Sequence, residues 1–521
     1  MAKGYGEIFL KNTFWVYLTK IITQTIALIV NIFVIVELDV SLYGEFNFIM
    51  NTVLIISMFS LGGINSVLNR YLPEFLASKD HFRIKKLINY SYFLSLSVFL
   101  VFLAFLIFWK EAFISVFDMK GLEGYFLEFI FIVVLYFLKS IIDVATKALL
   151  LHKKASIINM FATIIRSFLY IYFLDVLTVE LLIRIEMIVL AFIFICEFIV
   201  FISYTKKLNA EHTGKRLAFD RNRIKRYGLF SLLNEIGAGI VGKASDYFII
   251  GAMANTYFLG LYSFAFKQFE YVFKILPIKE VLSVIRPIFI QKFTNVNEDD
   301  KEFKVLFNLF VKLLLPIYTF PLLLFIVFGE QLIVLVYKVE YIEAYMLIVV
   351  MLLSNVIVSL AYPTTLVMVL KERMDLSLLS KSVIIFSIIG GILGMKYYGL
   401  IGVVTATVIG DFLRNLFIYI LLNRSFKLPY NFKGFWNYSV VFIIPTVTFY
   451  YIARDIDSIF KLVLYAICFT VTYFLFNIYF NAMNKNDDEV FKRLSSKSKA
   501  LQKVESYIRK LLILKRWMYV K

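Results

Sequence analysis

Cysteine and histidine are nearly absent from this 521-residue chain, which has two of the first and three of the second. Cys196 and Cys468 both fall inside apolar runs, so no disulfide framework or CxxC metal site is available, and they read as small buried hydrophobes. His81, His152 and His212 lie in short polar segments between such runs, which argues against a histidine proton relay inside a membrane. The phosphate loop GxxxxGK[ST] does not occur, which argues against ATP hydrolysis by this chain. Regular polar/apolar alternation is also missing from the long runs, and this excludes the strands of a membrane barrel. A small-residue cleavage site is lacking ahead of a short apolar core in residues 1–12, so the first apolar run reads as a retained span.

What the chain has in quantity is apolar surface. Hydrophobic residues make up 61% of it, against about 45–50% in a soluble domain. Runs of 18 or more apolar residues recur from end to end, each long enough to cross a hydrocarbon core of roughly 30 Å as a helix. The expected fold class is an all-α integral membrane protein with about fourteen transmembrane helices. The spans fall at 13–36, 44–69, 87–109, 126–150, 155–175, 180–204, 227–252, 257–282, 305–328, 342–370, 376–395, 399–423, 433–452 and 458–482. The seventh and eighth are the most polar, carrying Glu235, Lys243, Asp246, Lys267, Glu270 and Lys274.

The net charge of +18 would suggest a nucleic-acid partner in a soluble protein. Here its distribution speaks of topology, and no nucleic acid is expected. Alternate loops beginning with the N-terminus hold about 37 Lys and Arg and the other set about 7, the asymmetry of a positive-inside protein. Inside loops include Arg70 to Lys86, His152-Lys153-Lys154, Lys206 to Arg226 and the tail from Lys485 to Lys521. Omitting the seventh or eighth span would put this alternation out of register. Both termini are therefore expected on the cytoplasmic side of the cell membrane.

Internal repetition divides the chain further. Tyr43-Gly44-Glu45-Phe46 opens a span leading to Arg70-Tyr71-Leu72-Pro73-Glu74, and Leu259-Gly260-Leu261-Tyr262 opens one leading to Arg286-Pro287. The turn His152-Lys153-Lys154 corresponds to Lys371-Glu372-Arg373 at a similar offset of about 217 residues, which implies two pseudo-symmetric halves of six helices related by an axis along the membrane normal. The expected organisation is an N-terminal lobe at 1–204, a basic linker at 205–226, a second lobe at 227–423, two further helices at 424–482 and a basic tail at 483–521. That tail mixes Leu494, Leu501, Val504, Ile508 and Leu512 with Lys and Arg, the pattern of an interfacial helix on an anionic leaflet. Helix breakers stand at Gly62-Gly63 in one half and Pro277 in the other, so both second helices are expected to bend there.

About nineteen ionisable side chains lie within the spans, and each would cost at least roughly 2.5–3.5 kcal/mol facing lipid. Their spacing collects them on stripes. Lys139, Asp143 and Lys147 share one face of the fourth helix; Lys267, Glu270 and Lys274 share one of the eighth. Asn159, Thr163, Arg166 and Tyr170 line the fifth, while Lys20, Gln24 and Asn31 line the first. Glu235, Lys243 and Asp246 share a face of the seventh, and Asp411 and Arg414 stand one turn apart on the twelfth. The cations modestly outnumber the acids, which suits an anionic or zwitterionic solute. Lys20, Lys139, Lys147, Arg166, Lys267, Lys274 and Arg414 are the candidates for substrate binding, and Asp143, Glu235, Asp246, Glu270 and Asp411 those for coupling. Arg166 leads, because no acid lies within a helical turn of it and its planar fork matches phosphate. The competing structural role is a pair with an acid of another helix, such as Glu186. No metal or other cofactor is expected.

Tyr43-Gly44, Leu61-Gly62, Arg70 with Tyr71-Leu72-Pro73-Glu74, and Asp246 followed by Gly260-Leu261-Tyr262-Ser263 together resemble the polysaccharide-export flippases of the multidrug/oligosaccharidyl-lipid/polysaccharide exporter superfamily. The resemblance extends over essentially the whole chain. It implies a transporter, not an enzyme, that carries a polyprenyl-pyrophosphate-linked oligosaccharide to the outer leaflet by alternating access through a central cationic cavity. The partners it implies are that lipid-linked oligosaccharide, membrane lipids, and a polysaccharide polymerase and glycosyltransferases. Multidrug extruders and lipid II flippases of the same superfamily are rival readings; the basic excess and Lys20 on the first helix weigh against the former. A membrane glycosyltransferase would use acidic pairs such as Glu37-Leu38-Asp39 and Asp455-Ile456-Asp457, but the outside loops are too short for a catalytic domain.

Overall fold

The computed structural model describes residues 2–77, 80–117, 119–149, 151–210, 221–239, 245–275, 293, 301–371, 373–430 and 436–480. Among the described residues there is no strand. The helices are α1 (Ala2–Glu37), α2 (Val40–Ser60), α3 (Ile64–Ala77), α4 (His81–Phe108), the short α5 (Lys110–Val116), α6 (Phe126–Ala148), α7 (His152–Tyr172), α8 (Val179–Ala210), α9 (Arg221–Gly239), α10 (Ser245–Met253) and α11 (Thr256–Ile275). They continue as α12 (Lys301–Val336), α13 (Tyr345–Leu370), α14 (Met374–Ser380), α15 (Ile384–Ser425), α16 (Trp436–Ala453) and α17 (Ile459–Phe480). In each of the fourteen expected spans most of the described residues are helical, and the protein is a multi-pass membrane protein. Ten helices among the described residues are long and apolar enough to cross a bilayer, and the one over Asp375–Ser425 holds two of the expected spans. The polar seventh and eighth spans are not among those ten, yet their described residues lie on α9 with α10, and on α11.

The second span is broken where its glycines predict. α2 stops at Ser60 and α3 starts at Ile64, with Gly63 at φ +72, a left-handed conformation in which a Cβ is strained. The other expected breaker, Pro277, lies outside the described residues, as do Lys243, Arg286, Pro287, His212, Glu372 and the tail from 481. A break is also seen at Gly399, φ +63, where the eleventh and twelfth spans run into one another as α15.

By contacts the chain forms two compact units, Met1–Phe264 with Met395–Val403, and Ala265–Gly394 with Val404–Lys521. The first unit takes in α9, α10 and the start of α11, helices that the repeat assigns to the second half. Glycine explains how closely they approach. A Cβ on Gly44 would strike the Thr256 carbonyl and the Gly260 backbone, and one on Gly260 would strike the Val40 carbonyl, so α2 and α11 cross backbone to backbone. Beside them Tyr247 donates to Ser263 Oγ at 2.9 Å and Phe99 stacks on Phe137 at 4.0 Å.

In the second unit Phe303, Phe307, Phe310, Val367, Leu422 and Phe426 form a core joining α12, α13 and α15. The last two helices pack on α12 through Phe328, Phe449, Phe469 and Tyr473. Tyr473 also donates to the Pro316 carbonyl at 2.8 Å. Tyr430, just past α15, donates to the Leu360 carbonyl at 2.7 Å and pairs with Thr364 Oγ1 at 2.8 Å, and burial pushes its hydroxyl up to about 12.

Candidate functional site

The ionisable stripes of the first unit converge on α6, α7 and α8. On α6, Asp143 and Lys147 are one turn apart, and Lys147 Nζ sits 2.7 Å from Asp143 Oδ2. Facing them on α8 is Glu197, whose side chain is wholly buried. Asn159 of α7 donates to Glu197 Oε1 at 3.3 Å, and Lys139, Lys147 and Asp143 lie within electrostatic reach of it. The remaining oxygens, Glu197 Oε2 and Asp143 Oδ1, are buried without a protein hydrogen-bond partner, as is Thr146 Oγ1. Buried polar atoms are almost always satisfied, so the open oxygens of Glu197 and Asp143 single this cluster out as the candidate site.

Two turns along α7, Arg166 meets Glu186 of α8. Its Nη2 donates to Oε2 at 2.8 Å, and Nε lies 2.7 Å from Oε1 at an angle too poor for a hydrogen bond. Tyr170 donates to the same carboxylate at 2.7 Å. Tyr136 of α6 lies within electrostatic reach of Asp143, Glu186 and Arg166, and so connects the two clusters. Three cations, Lys139, Lys147 and Arg166, thus face three carboxylates, Asp143, Glu186 and Glu197. Cations and carboxylates are thus equal in number in this cluster, and Arg166 has the acid partner its own helix did not supply.

The other candidates divide between the units. Lys20 is half-buried on α1, which packs against α7, and Thr23 Oγ1 donates to its carbonyl at 2.9 Å. Glu235 of α9 accepts from the Gly63 N–H at 3.0 Å and from Ser66 Oγ at 2.5 Å, which seats it on the break between α2 and α3. Asp246 is buried and accepts from Tyr262 at 2.9 Å. In the second unit Lys274 pairs with Glu270 at 3.1 Å and Arg414 with Asp411 at 3.2 Å, while Ser354 donates to Asp411 at 3.3 Å. Lys267 is half-buried on the same stretch of α11. Glu197 is not among the residues the sequence singles out, although it carries a signal: a carboxylate inside the apolar run of α8 should face protein, not lipid.

The acidic pairs of the short loops have ordinary employment. Asp39 caps α2 by accepting from the Ser41 N–H at 2.7 Å, and Lys461 holds Asp457 at 2.8 Å. Near the same end of the first unit Tyr125 donates to Glu45, and burial together with that bond pushes its hydroxyl well above the ordinary tyrosine range.

No family model and no curated protein matches this sequence. Solved structures do match the fold. A lipid II flippase, MurJ, in an inward closed conformation superposes with a TM-score of 0.64, covering 90% of this chain and 98% of its own at 15% identity. The chain shares its fold with a solved transporter of the MOP superfamily. An inward-facing multidrug resistance MATE transporter of that superfamily agrees at a TM-score of 0.53, covering 77% of this chain and 94% of its own at 14% identity.

Proposed function

We propose that this chain flips a polyprenyl-pyrophosphate-linked oligosaccharide across the cytoplasmic membrane by alternating access between two six-helix lobes. The observation that carries the reading is that candidate cations and candidate coupling acids are one another's partners: Lys147 with Asp143, Lys274 with Glu270, Arg414 with Asp411. Two unit charges at 4 Å interact by about 4 kcal/mol at an effective dielectric of about 20, against about 1 kcal/mol in bulk water. A network held closed by such pairs binds an anion when the acids are neutralised. Protonation of Asp143 or Glu197 releases Lys147 and Lys139 for the pyrophosphate, and release of the proton expels the substrate. The same exchange at Arg166 would trade the Glu186 carboxylate for a phosphate of matching geometry. Orientation with both termini in the cytoplasm follows from the Lys and Arg distribution.

The test is the fate of the substrate in cells. Replacing Asp143 by Asn in a well-expressed chain should cause a lipid-linked glycan to accumulate in the inner leaflet, and unaltered export would remove these pairs from the cycle. A lipid II-type substrate is the second reading, favoured by the likeness to MurJ. It predicts that lipid II accumulates instead.

A further inference from the structure

A groove of about 860 Å³ opens on the surface of the first unit, lined by Phe82, Lys85, Lys86, Asn89, Tyr90 and Phe93 of α4 and by Arg221 at the start of α9. The α4 positions run i, i+3, i+4, i+7, i+8 and i+11, a single stripe of one helix. Three cations stand at its mouth, and no carboxylate lines it among the described residues. The Arg221 guanidinium lies over the Tyr90 ring at 5.4 Å and Lys86 Nζ near the Phe82 ring at 5.7 Å, so both charges are carried on aromatic walls. We propose that this groove is a binding site for an anionic glycerophospholipid of the surrounding bilayer.

Depth decides the orientation of the ligand. The span Phe82–Phe108 has 27 residues, about 40 Å of helix, which matches a bilayer with its headgroup layers. Lys85 and Lys86 therefore stand at phosphate level, and Phe93, two turns further in, at the level of the acyl chains. Phe93 is 75% exposed and Phe108, four turns beyond it on the lipid-facing side, 83% exposed, so the stripe below the cations continues as a surface for hydrocarbon. A polar solute would leave Phe93 unused, and a free phosphate would leave most of the groove empty. A bilayer phospholipid fits both ends. The groove is set apart from the paired network of α6, α7 and α8, so the assignment does not depend on what the protein transports.

The full chain, purified in detergent, can be titrated with dioleoyl-phosphatidylglycerol and dioleoyl-phosphatidylcholine and read by native mass spectrometry. Phosphatidylglycerol is expected to bind more tightly than phosphatidylcholine. The combined Lys85→Gln, Lys86→Gln, Arg221→Gln variant should lose about fivefold per cation, about a hundredfold in all, the equivalent of about 1 kcal/mol for each charge. Lys153→Gln, Lys154→Gln, Lys206→Gln, which removes the same charge elsewhere in the first unit, should keep the preference. Equal affinity for the two lipids, survival of the preference in the groove variant, or equal loss in the control would overturn the proposal. Displacement of phosphatidylglycerol from the wild-type chain by sub-stoichiometric polyprenyl pyrophosphate would also overturn it, by assigning the groove to the carrier lipid.

Discussion

Arg166 of α7 and Glu186 of α8 form a two-pronged ion pair with contacts of 2.7 and 2.8 Å, and Tyr170 donates to the same carboxylate. Breaking a buried pair from one side leaves an uncompensated charge and costs about 3–5 kcal/mol, less here because Arg166 is partly exposed. Arg166→Gln and Glu186→Gln should each lower the thermal midpoint by several degrees, and Arg166→Glu should be worst. The reversed pair Arg166→Glu, Glu186→Arg should recover much of the loss. Equal stability of Arg166→Glu and the wild type would show that the pair contributes nothing.

Glu235 and Gly63 make the complementary test at the break in the second span. Alanine at Gly63 adopts a left-handed conformation at a cost of about 1–2 kcal/mol, and its Cβ meets the Gly228 carbonyl. At Gly62, whose φ is not positive, the Cβ would strike the end of the Leu232 side chain, which can turn away, and would crowd the Phe59 carbonyl only slightly, at 3.2 Å. Gly63→Ala should therefore reduce the folded fraction in detergent, measured by fluorescence size-exclusion chromatography, more than Gly62→Ala. Glu235→Gln should be milder than Glu235→Leu, because an amide oxygen can still accept from the Gly63 N–H.

The crossing of α2 and α11 makes a similar prediction with a different cause. Gly44→Ala and Gly260→Ala would each drive a Cβ into backbone, which has no rotamer to yield. Both should fall to low membrane levels, whereas Gly390→Ala, whose nearest neighbour is the Ala406 Cβ at 3.3 Å, should accumulate nearly normally.

Much of this was legible in the sequence. The fourteen spans, including the polar pair over α9 to α11, follow from length, hydropathy and the placing of Lys and Arg, because a bilayer imposes all three. The break at Gly62-Gly63 was legible for the same local reason. Partnerships across helices were not. Helical spacing brings Asp143 to Lys147 and Glu270 to Lys274, but nothing in the α7 sequence tells Arg166 which acid of α8 will face it. The balance of charge in the cluster of Lys139, Lys147, Arg166 and Asp143 comes from Glu186 and Glu197, and their facing depends on how α8 is rotated. That rotation is set by packing, which is distributed over too many small contacts to be read from one stretch of chain.

Glu197 supplies the prediction for coupling. A buried carboxylate with one unsatisfied oxygen is costly, and the amide of Glu197→Gln removes the charge while keeping the shape. The variant should reach wild-type membrane levels with equal or higher thermal stability. Its rate of substrate transfer should fall at least tenfold and lose its response to an imposed proton gradient. A transfer rate and gradient response equal to the wild type would assign Glu197 a purely structural role.

The most direct measurement is leaflet transfer by the purified chain. Reconstituted into vesicles that carry a polyprenyl-pyrophosphate-linked oligosaccharide with a fluorescent sugar, the wild type should move the sugar to the opposite leaflet, where an impermeant quencher or glycosidase reaches it. The Asp143→Asn, Glu270→Gln, Asp411→Asn variant should not. Vesicles in which the wild type leaves that lipid in place while moving lipid II or an organic cation would contradict the account.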